Sequence, residues 1–231
     1  VRTRRRSCAP KAAQTFSTRE AVPCILLTRP EDRSKALAKD LASDGWDAMI
    51  WPLLTIEPLL TEAPRIGNDE VMIFTSARGV EAVPNLPEGH PAICVGPATA
   101  KAAKARGLAA EHADGDAEAL LAKLLNTPHR RFVHIRGEET RGALAERLIK
   151  AGREAREVIA YRATPAKTVP QAVKSAISKG AIDVVALFSP RTAAIFTELV
   201  SADWVGSGRR FRVICISEAA AEPVRSWRSS D

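Results

Sequence analysis

The sequence lacks most of the features that mark membrane, secreted and metal-binding proteins. Its four cysteines, at positions 8, 24, 94 and 215, form none of the close pairs found in metal sites or small disulfide frameworks. Charged residues or prolines interrupt every hydrophobic run long before the roughly 20 residues that a membrane-spanning helix needs. We therefore expect a soluble, cytoplasmic protein that does not act at a membrane.

Motifs for nucleotides and metal ions are missing as well. The chain contains neither GxxxxGK[ST] nor GxGxxG, so the usual phosphate-binding loops of nucleotide enzymes are absent. The histidines at positions 90, 112, 129 and 134 do not have the spacing of metal ligands. We assign them no role and expect no metal site.

The net charge of +7 is concentrated in one segment. Six basic residues and one acidic residue precede Pro23, so this segment accounts for five of the seven net positive charges. The remaining chain is almost balanced and lacks the basic excess of nucleic-acid-binding domains. We expect residues 1–22 to be a disordered extension, or sequence upstream of the true start, with a transit-like segment or an RNA-contacting arm as alternatives.

From residue 24 onward, short β-rich apolar runs alternate with amphipathic segments of helical period. This alternation is typical of βαβ units and a parallel sheet. Gly45, Gly107 and Gly152 suit helix ends, and Asp116 can cap a helix over residues 117–125. The predicted strands are residues 24–28, 47–51, 71–75, 92–95, 132–135, 158–161, 184–188 and 212–216.

The sequence also repeats itself. Three pairs of segments match: residues 24–51 with 131–158, residues 71–83 with 184–196, and ICVGPATA from Ile93 with VICISEAA from Val213. The first pair superposes Arg29 on Arg136, and the second superposes Arg78 on Arg191. The repeat predicts a duplicated α/β unit with two similar lobes and a cleft between them. The alternative is that unrelated βαβ units share the same periodicities.

Small residues stand where predicted strands give way to helices. Main-chain N–H groups and hydroxyls at such junctions point outward from the carboxyl edge of a parallel sheet and bind anions. The alternative for any single position is that the residue only caps its helix. The six junction residues are Thr28, Ser76, Gly96, Gly137, Ser189 and Ser217.

Several motifs follow one another along the chain: ILLTRP, GWDAMIWPLLTIEPL, VMIFTSARGVEAV, AICVGPATAKAAKARGL, the RG of HIRGEETRGAL, VIAYRATPA and LFSPRTAAIF. In this order and at this spacing, they resemble the uroporphyrinogen-III synthase family. The resemblance extends from about residue 24 to residue 221. It implies an α/β fold of two similar flavodoxin-like lobes with parallel sheets, the first lobe discontinuous, joined by two crossing strands near residues 53–57 and 160–166. Lobe 1 would comprise residues 24–54 and 167–231, and lobe 2 residues 55–166.

The resemblance also implies a reaction. Members of the family convert hydroxymethylbilane, a linear tetrapyrrole with eight carboxylates, into a ring by removing water and inverting the last pyrrole through a spiro intermediate. They use no metal or organic cofactor. On this basis we expect a monomeric hydro-lyase of haem biosynthesis whose only partner is this small substrate, with no nucleic acid and no membrane.

Candidate site residues follow from the junctions and the resemblance together. Tyr161, the only tyrosine of the chain, lies in a predicted crossing segment, where the family places a favoured candidate for the hydrogen-bond donor to the leaving hydroxyl. The alternative is a packing role with a solvated hydroxyl. The candidate substrate-binding residues are Thr28, Arg29, Ser76, Ala77, Arg78, Gly96, Thr99, Arg136, Gly137, Arg141, Ser189, Pro190, Arg191 and Ser217.

Two departures from the family and two rival functions complete the expectations. Ala220 stands where many members have a threonine, and the family continues after about residue 227 with another strand and helix, so we expect lobe 1 to lack an edge strand. A bilobed, non-catalytic binding protein for small anions would share this architecture. A tandem receiver-like signalling protein is disfavoured because the acidic cluster and paired lysine of such domains are absent from the strand ends.

Overall fold

The computed structural model describes residues 22–139, 143–200 and 211–228, with side chains up to residue 225. The predicted extension at residues 1–22 therefore lies almost entirely outside the described residues, as does Arg141. The strands are β1 (Cys24–Leu27), β2 (Asp47–Ile50), β3 (Leu54–Pro58), β4 (Glu70–Phe74), β5 (Pro91–Cys94), β6 (Ala109–His112), β7 (Arg131–Gly137), β8 (Glu154–Pro165), β9 (Val184–Leu187) and β10 (Arg212–Cys215). The helices are α1 (Glu31–Ser43), α2 (Ala77–Ala82), α3 (Pro97–Ala105), α4 (Ala117–Asn126), α5 (Leu144–Lys150), α6 (Gln171–Ser178), α7 (Pro190–Leu199) and α8 (Glu218–Arg228).

The strands form two sheets. The first has the order β10-β9-β1-β2, and all its strands are parallel. The second has the order β3-β8-β7-β4-β5-β6 and is parallel except for β3, which pairs antiparallel with β8. The predicted α/β class with parallel sheets is confirmed.

The internal repeat reappears as a shared strand order. The order β2-β1-β9-β10 in the first sheet corresponds to β8-β7-β4-β5 in the second, so each pair of matched segments occupies the same place in the two sheets. The third pair was misaligned by one residue. Gly96 and Ser217 both directly precede a helix, so ICVGPATA corresponds to the segment that begins at Ile214.

A long strand leads from one sheet toward the other. β8 pairs in parallel with β7 over its first half and antiparallel with β3 over its second half. The prediction of a strand over residues 158–161 was therefore too short, because this strand has twelve residues. The sequence prediction missed β6 altogether, since its short, mixed sequence AAEH has no clear alternation.

Helices cover both faces of each sheet. On the first sheet, α6, α7 and α8 pack over a core that includes Trp51 and Phe196, and α1 packs on the opposite face around Leu27. On the second sheet, α2 and α3 cover the face with Phe74, and α4 and α5 cover the face with Phe132. Such double coverage explains why the central strands β1 and β9, with the sequences CILL and VVAL, are continuously apolar.

Local signals in the sequence set the helix ends. Asp116 caps α4, and its carboxylate accepts hydrogen bonds from the N–H groups of Glu118 at 2.9 Å and Ala119 at 3.1 Å. Gly45 and Gly152, which superpose in the repeat, follow α1 and α5 with φ of +79° and +75°, a conformation that favours glycine. Within the described ranges, no helix has both the length and the apolar character needed to cross a membrane.

Candidate active site

The predicted serines at the strand ends cap their own helices. The Ser76 hydroxyl accepts a hydrogen bond from the Arg78 N–H at 3.1 Å, and the Ser189 hydroxyl accepts one from the Thr192 N–H at 3.1 Å. Ser217 does the same for the N–H of Ala220 at 3.3 Å. The capping alternative therefore holds for these hydroxyl oxygens, and the Ser189 hydroxyl also hydrogen-bonds to the Thr192 hydroxyl at 3.0 Å. The O–H hydrogens of Ser76 and Ser217 and the adjacent main chain are left as the groups a ligand could meet.

Arg29 has a half-buried guanidinium that forms no ion pair with a carboxylate in the described part of the chain. Its Cζ lies 4.8 Å from the centroid of the Phe188 ring, in cation–π geometry. No carboxylate of the described residues lies within 4 Å of it. Burial, together with the positive charges of Arg33 and Arg78, lowers the pKa of the Arg29 guanidinium. An anionic ligand that approached Arg29 would relieve this unbalanced charge.

Arg78 of α2 pairs with a carboxylate on α1, a helix that packs on the other sheet. Both Nη atoms donate to the carboxylate of Asp32 on α1 at 2.9 Å, and Nη1 also donates to Glu81 at 3.0 Å. A second ion pair, between Arg33 of α1 and Glu81 of α2, runs parallel to it. The predicted grip of Arg78 on a ligand carboxylate therefore requires that Asp32 be displaced, because the fork of the guanidinium is already filled.

An open groove of about 560 Å³ lies beside these ion pairs. Its walls come from the first turn of α1, from β3 and from α2, and include Asp32, Thr55, Pro58 and Arg78. Pro58 is the strand partner of Tyr161 in the antiparallel pairing of β3 and β8. The groove therefore extends toward the segment that contains the predicted catalytic tyrosine.

Arg191 connects the first turn of α7 to β8. Its Nη2 donates to the Ala163 carbonyl at 2.9 Å and lies 2.8 Å from the carboxylate of Glu139. Like Arg78, Arg191 is thus already engaged with protein groups rather than free for a ligand. The contact brings Ser189 and Pro190, at the start of α7, close to the end of β8.

The ring of Tyr161 lies directly over Gly137. A Cβ atom at residue 137 would be 2.8 Å from Tyr161 Cζ and 3.1 Å from its hydroxyl oxygen. No side chain larger than hydrogen therefore fits at Gly137 while the ring keeps this place. Tyr161 is partly buried against the α2 face of the second sheet.

Five residues near these helix starts and β8 form a group that we call the arginine–tyrosine arc. It consists of Arg78, Arg29, Phe188, Arg191 and Tyr161. The positive charge of Arg78 affects the pKa of Arg29. The Arg29 guanidinium packs on the ring of Phe188, which lies just before α7. Arg191, in the first turn of α7, contacts the strand that contains Tyr161. The arc combines cationic groups with one phenol, a set suited to holding carboxylates near a proton donor.

Other candidates lie elsewhere. Thr28 is fully buried, and its hydroxyl donates to the Ala186 carbonyl at 2.6 Å, so it holds β1 against β9 instead of facing a cleft. Thr99 is only 7% exposed, within α3. Arg136 was expected to bind a carboxylate of the substrate, but it donates to Glu157 at 2.6 Å. No contact among the described residues joins Gly96 or Ser217 to the arc.

Sequence reasoning missed the partners of these arginines. Asp32, Glu139 and Glu157 each pair with an arginine that had been assigned to substrate, and Phe188 supports Arg29. In the sequence, Glu31 and Asp32 look like acidic residues that only stabilise the N-terminus of α1 through the helix dipole. Among these partners, only Phe188 could have been suspected from the sequence. It lies next to the SPR motif at a strand end, where an aromatic ring can form a cation–π contact.

Known proteins give an independent comparison. A family model described as uroporphyrinogen-III synthase HemD matches residues 35–230. A mutant uroporphyrinogen III synthase from the extremely thermophilic bacterium Thermus thermophilus is 16% identical, with 89% of each chain covered and a TM-score of 0.54. Uroporphyrinogen-III synthetase from Helicobacter pylori is 15% identical, with 88% of each chain covered and a TM-score of 0.55. No curated protein matches the chain at a significant level.

Proposed function

Because the chain belongs to the uroporphyrinogen-III synthase family, its reaction is the dehydrating cyclisation of hydroxymethylbilane, and we propose that this takes place along the arginine–tyrosine arc. The enzyme is a cofactor-free hydro-lyase of haem biosynthesis. Nothing in the comparisons favours the alternative of a non-catalytic bilobed anion-binding protein. The observation that carries the proposed site is the connection, through the start of α7, between Arg29, which has no ion-pair partner among the described residues, and the strand that contains Tyr161.

The lobes that would enclose the substrate are residues 24–54 with 167–231, and residues 55–166. This division is supported by the two sheets, because the strands of the first come from both ends of the chain and those of the second from the middle. On this division, β3 and β8 are the two connections between lobes. Their antiparallel pairing would let the lobes move while Tyr161 and Pro58 stay together.

Arg29 would hold a carboxylate of hydroxymethylbilane. A charged hydrogen bond to a guanidinium is strong where both groups are partly desolvated, and Arg29 is half-buried without an internal carboxylate. Ser76, Ala77, Ser189 and Pro190 would line the same cleft through the first turns of α2 and α7. Arg78 and Arg191 would add further grip only where a substrate carboxylate displaces the carboxylates of Asp32 and Glu139.

Tyr161 would assist the departure of the hydroxyl group. The reaction breaks the C–O bond of the hydroxymethyl group and joins that carbon to the substituted carbon of the last pyrrole in a spiro intermediate. The bond from this substituted carbon to the methylene bridge of the neighbouring pyrrole then breaks, and the bridge rejoins the last pyrrole at its free carbon, which inverts that ring. The hydroxyl leaves as water, and the last pyrrole gives up one proton, so the acid consumed at the start is returned. A phenol that donates to the leaving oxygen raises the rate by about 10²-fold. The enzyme would also orient the last ring for attack at its substituted carbon, because closure without this orientation gives the unrearranged isomer.

The wider setting is also part of the proposal. We expect the enzyme to work as a monomer in the cytoplasm with hydroxymethylbilane as its only partner and without nucleic acid. The nearly balanced charge of residues 23–231 supports the last point, since nucleic-acid binding depends on a basic surface.

Product analysis tests the proposed site. Purified protein would be incubated with hydroxymethylbilane, and the rearranged and unrearranged isomers separated by chromatography. We expect Arg29→Gln to raise KM about tenfold and Tyr161→Phe to lower kcat about 100-fold. Arg147→Gln is the matched control, because Arg147 pairs with Glu118 on the α4 and α5 face, away from the arc. Normal kinetics in both arc variants would refute this placement of the site.

A further inference from the structure

The β7–β8 pairing is irregular next to Tyr161. Arg136 pairs with Ile159, but the next pair joins Gly137 to Tyr161, so Ala160 is an extra residue on β8. Such a bulge changes the face to which the following side chain points. Ala160 and Tyr161 both pack against the core under α2, whereas regular alternation would have sent Tyr161 to the other face. The orientation of the tyrosine therefore depends on this bulge.

The guanidinium of Arg136 holds the strand end opposite the bulge. Its Nη1 donates to the carbonyls of Gly137 at 2.8 Å and Glu138 at 2.9 Å, and its Nη2 donates to Glu157 of β8 at 2.6 Å. The Glu138 N–H in turn donates to the Tyr161 carbonyl at 2.8 Å. The planar guanidinium of Arg136 thus fixes the end of β7, at Gly137 and Glu138, relative to Glu157 of β8.

The buried side chain of His134 lies next to the Glu157 carboxylate. His134 is 1% exposed, and its Nδ1 lies 3.5 Å from the Glu157 carboxylate while its Nε2 lies 3.3 Å from the Thr75 hydroxyl. The hydrogen bond from Arg136 lowers the pKa of Glu157, so its carboxylate stays ionised at neutral pH. The Arg136–Glu157 pair is therefore enclosed on its inner side by packed protein.

We propose that Arg136 and Glu157 are positioning residues for Tyr161: together they hold the β7–β8 bulge in the one register that places the phenol over Gly137. This inference rests on the proposed role of Tyr161. It reverses the sequence-based expectation for Arg136, which becomes a support for the catalytic phenol instead of a ligand for the substrate.

The tight contact at Gly137 links the bulge to the ring. With an added Cβ only 2.8 Å from Tyr161 Cζ, there is no free space between the ring and the backbone of residue 137. Any displacement of the Gly137 peptide is therefore passed directly to the ring. A lysine at residue 136 could reach one or two of the three acceptors but could not bridge all of them, because it lacks the planar fork of arginine.

The single tyrosine of the chain allows a direct measurement. Protein grown with 3-fluorotyrosine has one ¹⁹F resonance, whose shift and width report the surroundings of the Tyr161 ring without reference to activity. We expect Arg136→Lys and Glu157→Gln each to shift and broaden this resonance. Arg156→Lys is the matched control, because Arg156 makes a comparable bidentate pair on the same strand but with Glu70, so its ¹⁹F resonance should coincide with that of the parent protein.

Kinetics in the unlabelled protein complete the test. Arg136→Lys and Glu157→Gln should lower kcat about tenfold with less than about a twofold change in KM, because positioning affects the chemical step and not carboxylate binding. In the Tyr161→Phe background, Glu157→Gln should change kcat by less than about twofold, since the group it positions is gone.

The outcomes separate the two proposals. A ¹⁹F resonance that does not move in Arg136→Lys and Glu157→Gln, in proteins that melt cooperatively, overturns the positioning role whatever the kinetics show. So does a rise in KM without a fall in kcat, which would return Arg136 to substrate binding. A resonance that moves while Tyr161→Phe keeps normal turnover supports the positioning of the ring and refutes only its catalytic role.

Discussion

Replacing Gly137 with alanine should misplace the Tyr161 ring without removing any polar group. The new Cβ would lie 2.8 Å from Tyr161 Cζ, whereas ordinary van der Waals contact begins at 3.4 Å. The ring must therefore withdraw by at least about 0.6 Å, since Gly137 is fixed in β7. We expect overpacking to cost about 2 kcal/mol of folding free energy and to lower Tm by about 4–8 °C.

The effect on catalysis should be larger than the effect on stability. Misplacement of a reacting group by about 1 Å can reduce the rate about 100-fold. Chromatography of the products from hydroxymethylbilane would give both the rate and the ratio of rearranged to unrearranged isomer. We expect Gly137→Ala to make the rearranged isomer about 100-fold more slowly, so that spontaneous closure to the other isomer becomes visible.

A glycine outside the site supplies the control. Gly89 has a φ of +70° and open space where a Cβ would go, so Gly89→Ala should cost about 1–2 kcal/mol through backbone strain alone. It leaves Tyr161 untouched. If both alanine variants lose activity in proportion to their loss of stability, or if Gly137→Ala is as active as the parent, the reasoning about the ring is refuted.

Three further variants test other parts of the structure. The hydrogen bond from Arg156 holds the pKa of Glu70 at about 2, below its ordinary value of 4.5. The Arg156–Glu70 pair therefore stabilises the fold above about pH 4.5, and this stabilisation is lost as the pH falls toward 2. Glu70→Gln should lower the free energy of unfolding by about 3 kcal/mol at pH 7 and make that free energy, measured by urea unfolding, less dependent on pH in the acid range. Asp32→Asn should leave Arg78 with only the carboxylate of Glu81 as an ion-pair partner and lower KM by about 2- to 5-fold in steady-state assays, whereas an unchanged or higher KM would show that Asp32 does not compete with substrate. Asp116→Ala should lower Tm by about 2–4 °C in a thermal melt, through the loss of two cap hydrogen bonds, without changing kcat.

Much of the fold could be predicted because its signals are local. Short β-rich apolar runs that alternate with amphipathic segments located most of the strands. The repeat matched segments that take the same places in the two sheets, although the third pair was one residue out of register. The second half of β8 could not be predicted from its own residues, since it is a strand only because β3 pairs with it. The family resemblance alone led to the expectation of strands near residues 53–57 and 160–166, which agree with β3 and the end of β8. The residues of β6 likewise form a strand because they pair with β5, and their own sequence has little strand preference.

The site was harder to predict because its charges are paired over long distances in sequence. Arg78 and Asp32 are 46 residues apart and lie on helices of different sheets, so no local pattern couples them. Arg136 looked equivalent to Arg29 in the repeat. Glu157 forms an ion pair with Arg136, whereas among the described residues the Arg29 guanidinium contacts the Phe188 ring and no carboxylate. The alignment identified related backbone positions, but the tertiary neighbours decide which guanidinium is left for a ligand.

The strand order of the first sheet has a consequence for biosynthesis. β1 sits between β2 and β9, and Ile25 pairs with Val184, so the centre of this sheet is separated from one neighbour by nearly 160 residues. At about 5–20 residues per second, a ribosome needs on the order of ten to thirty seconds to supply that neighbour. Meanwhile the contiguous middle of the chain can fold, and the apolar strand β1 waits with one edge open. Nascent chains stalled before residue 184 should therefore be the ones that chaperones bind and that aggregate most readily.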